Sequence, residues 1–589
     1  MLMIESKKYI VSWMRMDLKF VINYKLQIPT LNSHFANVGD RIKDKIFSDR
    51  DFVLEEESNN YIFEQSERIS DSLFLNPVTI DEISDLLGGL KKYNSYSEFG
   101  ITNRILINMK DYIKIPIVHI FNLSFLHGKY PSGFKSAIVL PLFKSGDKKS
   151  LGNYRPISLT LSLSKILEKC IKVRLMSFIH KHAIISKRQY GFQPDISTSH
   201  ALFDVSKHIC QSLDRGDYVF GLFLDIEKAF DSISHKLLIK KIENYGIRGI
   251  ALDLIKSYIS NRTQIVKIDE IKSNLTTVNT GIPQGTVLGP LLFILYINNI
   301  FSIKTNGLPF CFADDTAFIF SGDCFNNLTK TVSDDFRLVK KYLNTNFLSI
   351  NIQKTSLVSF SNGERKCSSK STPHITLHSI NCTVSQECSC QVLKFVNECK
   401  YLGIIFDSKM SFKTHILKLT SSIRKLFYKF KILRGILSYE VLRMVYFSLC
   451  QSLLLYGILV WGNTSEFILR GLSVAQNIVI KIILKKHPRF ATLALYDEFR
   501  VLNLKQLFLL NACIHLYRIN CTNYNLHYYP TRISSRTNII LPRIKTELYS
   551  RHAQIVGLRM AIKYRYNYDQ FRNVRHIKSF LINSGFLRM

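Results

Sequence analysis

Phe223-Leu224-Asp225-Ile226-Glu227-Lys228-Ala229-Phe230-Asp231 decides the fold of this chain, together with Phe312-Ala313-Asp314-Asp315-Thr316 further on. The first stretch closes an apolar run, Tyr218-Val219-Phe220-Gly221-Leu222-Phe223-Leu224, with no polar alternation. Such a run predicts a strand buried on both faces, with Asp225 where the strand leaves the core. The second stretch is flanked by Leu308-Pro309-Phe310-Cys311-Phe312 and Thr316-Ala317-Phe318-Ile319-Phe320. Two short aromatic-rich runs joined in this way predict a β-hairpin with the acids at its tip. Asp is also a common turn residue, so the pair alone would fit a simple turn.

Between the two lies Gly281-Ile282-Pro283-Gln284-Gly285-Thr286-Val287-Leu288-Gly289-Pro290. Bringing Asp225 beside the hairpin tip concentrates negative charge that divalent cations must neutralise. Two Mg²⁺ ions roughly 3.5–4 Å apart would stabilise the attacking and leaving oxygens of an in-line displacement. The ordered trio therefore points to a template-directed polymerase that holds two metal ions.

Further motifs are strung around the trio. Upstream come Phe121-Asn122-Leu123-Ser124-Phe125, Gly128-Lys129-Tyr130-Pro131 and Ala137-Ile138-Val139-Leu140-Pro141-Leu142-Phe143-Lys144-Ser145-Gly146-Asp147. Asn153-Tyr154-Arg155-Pro156-Ile157-Ser158-Leu159, Gln189-Tyr190-Gly191-Phe192 and Ser197-Thr198 follow, and after the acids come Asn351, Lys354-Thr355 and Lys400-Tyr401-Leu402-Gly403-Ile404. In this order they resemble the reverse transcriptases of non-LTR (LINE-type) retrotransposons of the jockey-like group. The likeness runs from about Asn32 to near the C-terminus.

The resemblance implies an α+β right-hand polymerase fold of fingers, palm and thumb, with a helical thumb and C-terminal region. It implies RNA-directed DNA synthesis, in which a primer 3′-hydroxyl is extended with deoxynucleoside triphosphates. The implied partners are an RNA template, a DNA primer or target DNA and the nucleotides, with no membrane, in an element ribonucleoprotein of cytoplasm and nucleus. The implied cofactor is Mg²⁺, two ions, with Mn²⁺ as a substitute.

Carried over residue by residue, Asp225, Asp314 and Asp315 resemble the catalytic, metal-binding acids, and Ile226 is expected to lend its backbone carbonyl to a metal. Phe230 matches the aromatic gate that leaves no room for a ribose 2′-hydroxyl, although its position alone fits an ordinary core phenylalanine. Gln284 matches the residue beside the nucleotide sugar and template, on a loop that Gly281 and Gly285 let approach closely. Lys144 and Arg155 resemble the cations that clamp the triphosphate by charge-assisted bonds, and each also fits a solvated surface charge. Lys354 matches a lysine that protonates leaving pyrophosphate. Lys148, Lys149 and Lys228 fit backbone-contacting or solvated charges equally well.

Composition agrees. The 589 residues are 46% hydrophobic, which excludes a largely disordered chain, and the net charge of +34 favours a polyanionic partner. The last stretch, 533–589, carries a net charge of +9, with tyrosines interleaved in Lys563-Tyr564-Arg565-Tyr566-Asn567-Tyr568. It suits a grip on RNA by charge and stacking, and equally an ordinary basic helix. Of the twelve cysteines, Cys382, Cys388, Cys390 and Cys399 cluster without zinc-finger spacing, which favours free thiols in a reducing compartment. No signal peptide is visible at Met1 to Ile10. Met444 to Trp461 is apolar but interrupted by Gln451, Gly457 and serines, and predicts a buried helix followed by a turn rather than a membrane span.

Four divisions follow: 1–116, a linker and N-terminal extension carrying the acidic run Glu55-Glu56-Glu57; 117–406, fingers and palm; 407–520, a helical thumb-like region; and 521–589, a basic C-terminal region. Helices are expected over 157–183, 199–214 (after the Ser197-Thr198-Ser199 cap signals), 234–245 (closed by Gly246) and 288–300, with β-prone runs over 356–405 around a Ser/Cys-rich insertion. Some departures stand out. Nothing before residue 32 resembles the apurinic-type endonuclease that jockey-like elements carry, so a fragment or 5′-decayed copy is expected, with an endonuclease supplied by another chain admitted as a partner. The family's Gly-Pro-Asp run reads Ser97-Glu98-Phe99, and no ribonuclease H acid set follows the thumb. An inactive relic that still binds RNA is the alternative. An RNA-dependent RNA polymerase fits less well, because that group shows Gly-Asp-Asp where Ala313-Asp314-Asp315 stands and lacks a bulky gate at Phe230.

Overall fold

The computed structural model describes residues 28–48, 68–92, 101–361, 374–377, 391–519, 541–564 and 570–583. Within these, strands and helices mix as an α+β chain, with helices predominating at both ends. Strands β1 (Ser136–Phe143) and β2 (Tyr154–Leu159) form an antiparallel hairpin, and Leu142 pairs with Arg155. The run Tyr218–Leu224 is β3, as its unbroken apolar composition predicts. Next, β4 (Arg262–Ile268) runs parallel to β1 and carries the short strands β5 (Ile271–Lys272) and β6 (Thr276–Val278).

The Asp225 and Asp314-Asp315 motifs lie at a second, four-stranded sheet. The hairpin β7 (Leu308–Phe312) and β8 (Asp315–Gly322) forms where the two aromatic runs predict it. With β9 (Ser356–Phe360) the antiparallel order is β7-β8-β3-β9. Continuing the β-prone region, β10 (His374–Leu377) pairs with β11 (Gln391–Lys394), and β12 (Glu398–Tyr401) with β13 (Ile404–Asp407).

β3 is apolar on both faces because it serves two cores. Phe220, Leu222 and Leu224 enter one cluster with Tyr258, Phe293 and Ile297, whereas Val219 and Phe223 enter another with Tyr401, Phe406, Phe430 and Trp461. Successive side chains of a strand point to opposite faces, so each residue added to the run feeds the two cores in turn. Burying a Phe or Leu side chain contributes about 1.5–3 kcal/mol, and neither face of β3 has a polar position to spare.

The helix expected over 157–183 begins only at Ser162 and runs to Lys181. Residues 154–159 are instead strand, with Pro156 opposite Pro141 in the register. β2 is an edge strand, where a missing proline N–H is tolerated. The other expected helices form as Thr198–Arg215, His235–Asn244 and Gly289–Ile297, the last continued by a 3₁₀ turn over Asn298–Ser302.

Met444 to Trp461 is more broken than expected. A helix to Tyr446 passes through a π-turn at Phe447–Gln451 into Ser452–Leu455, and Gly457 at φ 65° separates the short helix Ile458–Trp461. A Cβ at Gly457 would stand 2.6 Å from the Ile404 side chain, so glycine serves both turn and packing. Among the described residues no helix is long and apolar enough to cross a membrane. The divisions read from sequence cut through elements: Lys110–His127 is one helix across residue 116, and β13 spans residue 407. Glu55 to Glu57, Ser97 to Phe99, Cys382, Cys388, Cys390 and Arg565 to Tyr568 lie outside the described residues; Cys399 is buried with a free thiol.

Candidate active site

Strand pairing assembles the acids. Leu224 pairs with Thr316 across β3 and β8, so Asp225, one residue beyond, emerges beside the Ala313-Asp314-Asp315 tip. The tip is pinned from behind by Gln189-Tyr190-Gly191. The buried Gln189 Oε1 accepts from the N–H groups of both Gly191 (2.9 Å) and Ala313 (3.0 Å), and the Tyr190 N–H donates to the Cys311 carbonyl at 2.8 Å. A Cβ at Gly191 would lie 2.4 Å from the Ala313 nitrogen, so only glycine permits this approach. Ser349 to Asn351 hold the other acid: the Asn351 N–H donates to the Asp225 carbonyl and the Glu227 N–H to the Ser349 carbonyl, each at 2.8 Å.

The charges register this proximity. Burial raises the Asp314 carboxyl, and Asp225 adds to the rise while Arg155 and Lys144 oppose it. Asp315, which solvent still reaches, is pushed up to about 6 by the protein around it and by Asp314 and Asp225, again against Lys144 and Arg155. The β1–β2 hairpin thus presents Lys144 and Arg155, both exposed, to the acids. Lys354, also exposed, places its Nζ 4.0 Å from Asp225 Oδ2. Lys228 is not merely solvated: its Nζ donates to the Gly152 carbonyl at 3.0 Å and the Tyr154 carbonyl at 3.3 Å, tying the Asp225 turn to the hairpin. Lys148 lies over the Phe143 ring at 5.7 Å, and the Lys149 N–H donates to Asp147.

Phe230 stacks on Phe293 at a centroid distance of 4.5 Å and meets Phe192 edge-on at 6.1 Å. It is half-buried, so one part of the ring is fixed and the remainder is open. Ile226 is buried and bridged to Ile350. Among the described residues no group of three or more His, Cys, Asp or Glu stands close enough, as placed, to hold a metal ion. The donor set nevertheless fits a hard divalent cation: oxygen ligands only, with Asp225 raising Asp314 and the two together raising Asp315, a repulsion that a cation would relieve.

Two acids, Glu168 buried and Asp231 half-buried, are not singled out by the sequence. Asp231 accepts from Gln284 Nε2 at 2.9 Å. Glu168, on the Ser162–Lys181 helix, accepts from the N–H groups of Val287 (2.7 Å) and Leu288 (3.0 Å) and from the Tyr258 hydroxyl at 3.2 Å, closing the start of the helix that follows the Gln284 loop. Asp231 lay inside a quoted motif without a role. Glu168 had no signal beyond being an acid in an otherwise buried helix row.

The family model described as reverse transcriptase (RNA-dependent DNA polymerase) matches residues 146–406. Those residues are a reverse transcriptase domain. The chain is 27% identical over 433 residues to the probable RNA-directed DNA polymerase from transposon BS of Drosophila melanogaster, covering 70% of this chain and 45% of that protein. It is 28% identical over 412 residues to the RNA-directed DNA polymerase from mobile element jockey of Drosophila funebris, covering 68% and 43%. The chain thus spans less than half the length of these curated relatives. A structure of apo telomerase from Candida tropicalis aligns with TM-score 0.33 and 14% identity over 56% of this chain and 72% of that one, too slight a likeness to argue from. The reverse transcriptase domain contains Asp225, Asp314 and Asp315 together with Phe230, Gln284, Lys354 and Arg155, whereas Lys144 lies just ahead of it.

Proposed function

We propose that the chain is an RNA-directed DNA polymerase of a non-LTR mobile element, extending a primer 3′-hydroxyl with deoxynucleoside triphosphates. The observation that carries this is the β3–β8 register, which brings Asp225 to the Asp314-Asp315 tip within a reverse transcriptase domain. In this reading the β7-β8-β3-β9 sheet is the palm, the β1–β2 hairpin and its sheet belong to the fingers, and the helices after β13 are the thumb of a right-hand fold.

Asp225, Asp314, Asp315 and the Ile226 carbonyl would hold two Mg²⁺ ions, or Mn²⁺ in their place. Bound there, such ions supply charge stabilisation to the attacking and leaving oxygens. Lys144 and Arg155 draw the triphosphate towards the acids. Phe230, braced by Phe293 and Phe192, lies under the incoming sugar and excludes a 2′-hydroxyl, and Gln284 contacts the nucleotide from the loop side. Lys354, beside Asp225, is placed to give a proton to pyrophosphate. The basic excess binds the RNA template and the primer by counterion release. The proposed setting is an element ribonucleoprotein in cytoplasm and nucleus.

The test is primer extension on a primed RNA template with Mg²⁺ and deoxynucleotides, beside Asp314→Asn/Asp315→Asn. Extension by the wild type alone supports the reading. No extension by either, with RNA still bound at moderate salt, replaces it with an RNA-binding module.

A further inference from the structure

We propose that Asp231 is a positioning residue for nucleotide binding, fixing which end of the Gln284 amide faces the cleft. This rests on the polymerase reading above. A glutamine amide is a donor at one end and an acceptor at the other, and nothing intrinsic prevents it from turning over. Asp231 Oδ1 receives Gln284 Nε2 at 2.9 Å, which commits the donor end and leaves Oε1 as the free end. Gln284 then offers an acceptor, and the matching group on a bound nucleotide is a donor, a sugar hydroxyl or a base amine.

The Gln284 backbone does not depend on this bond. The Ile282 N–H donates to the Phe230 carbonyl at 2.9 Å, the Gly281 N–H to the Ile233 carbonyl at 2.8 Å, and the Ser158 N–H to the Gln284 carbonyl at 2.8 Å. His235 Nε2 lies 2.7 Å from the Gly281 carbonyl oxygen. Gly281, at φ 78°, lets the loop approach until a Cβ would lie 2.7 Å from the Asp231 carbonyl oxygen. The loop is laced by its main chain, and among the described residues the one side chain hydrogen-bonded to the Asp231 carboxylate is Gln284.

A second observation lies behind the pair. Asp231 Oδ2, Thr280 Oγ1 and Arg262 Nε and Nη2 are buried and have no hydrogen-bond partner among the described residues. All three residues line one cavity of about 40 Å³ beside Gln284. That is room for a water with several polar partners, which would tether the carboxylate from the side away from the amide. Buried polar atoms are seldom left unpaired, and four around one small cavity describe a built support for Asp231.

The experiment measures kcat and KM for a deoxynucleotide in wild type, Asp231→Ala, Asp231→Asn, Gln284→Ala and the double variant Asp231→Ala/Gln284→Ala, with Tm for each. Asp231→Ala is expected to raise KM about 5- to 10-fold, the scale of one hydrogen bond, with kcat within about 2-fold. Asp231→Asn, whose Oδ1 still accepts, restores KM to within about 2-fold of wild type. Added to Gln284→Ala, the Asp231 change costs nothing more, because it acts through that side chain. An unchanged KM in Asp231→Ala, or losses that multiply equally in both backgrounds, overturns the inference and leaves the polymerase reading standing. A wild type that extends no primer overturns both. If Asp231→Ala does not fold, Asp231→Ser takes its place in the same comparison.

Discussion

Phe230 shows how much a single residue's role depends on its neighbours. A phenylalanine at a strand exit is usually core, yet here one face lies on Phe293 and another edge on Phe192, and part of the ring stays open. Phe230→Val should therefore raise ribonucleotide incorporation about tenfold or more, read as the ratio of ribo- to deoxynucleotide kcat/KM; an unchanged ratio removes the gate assignment. Asp315 gives a second outcome at this scale. Its carboxyl stands near 6, raised from 3.8 by burial and by Asp314 and Asp225. The folded chain therefore holds more protons than the unfolded one between those values, and metal-free stability should fall as pH rises through that window. Asp231, raised by burial to about 6, acts in the same direction. In the proposed reading Mg²⁺ binds the ionised acids, so its Tm increment should be clear at pH 7.5 and vanish at pH 5; equal increments at both pH values would sink this account. The three acids proposed as metal ligands were legible because they end apolar runs. Asp231 and Glu168 were not, since their meaning lies in bonds to a loop more than fifty positions away in sequence.

At the scale of elements, the Gly191 segment and the β7–β8 hairpin fit each other too closely for any side chain to come between. Gly191→Ala would drive a Cβ to within 2.4 Å of the Ala313 nitrogen, on backbone that has no slack. We expect a loss of at least about tenfold in primer extension with RNA affinity within about 2-fold, because the tip moves while the basic surface does not. Wild-type turnover in that variant would show that the tip is not set by this contact. The strands and most helices between β2 and β8 were readable from periodicity, whereas the start of 157–183 was not. Nothing in the periodicity separates Ile157 to Leu159 from the helix that follows, and only pairing with β1 makes them strand. The π-turn at Phe447–Gln451 was hidden for the same reason: an apolar run does not reveal an extra residue in a helical turn.

At the scale of the whole molecule, the C-terminal helices are anchored to the Thr198–Arg215 helix. Asp214 Oδ1 accepts from the N–H groups of Lys545 (2.9 Å) and Thr546 (2.6 Å) and from the Thr546 hydroxyl at 2.7 Å, while Gln211 Nε2 reaches the Tyr549 hydroxyl at 2.8 Å. Asp214→Ala removes three acceptor contacts at once and should make the stretch after residue 540 markedly more sensitive to limited proteolysis, by about tenfold in rate. Cleavage at the wild-type rate would show that the docking is held elsewhere. The alternation of β3 between two cores sets a limit on dissection. Cutting the chain back to the matched residues 146–406 would leave Val219 and Phe223 without Phe430 and Trp461, wetting one side of the strand that delivers Asp225. The geometry of the acids and the packing of the later helices are therefore inherited together: a lesion among the helices beyond residue 407 would disturb the acids without touching them.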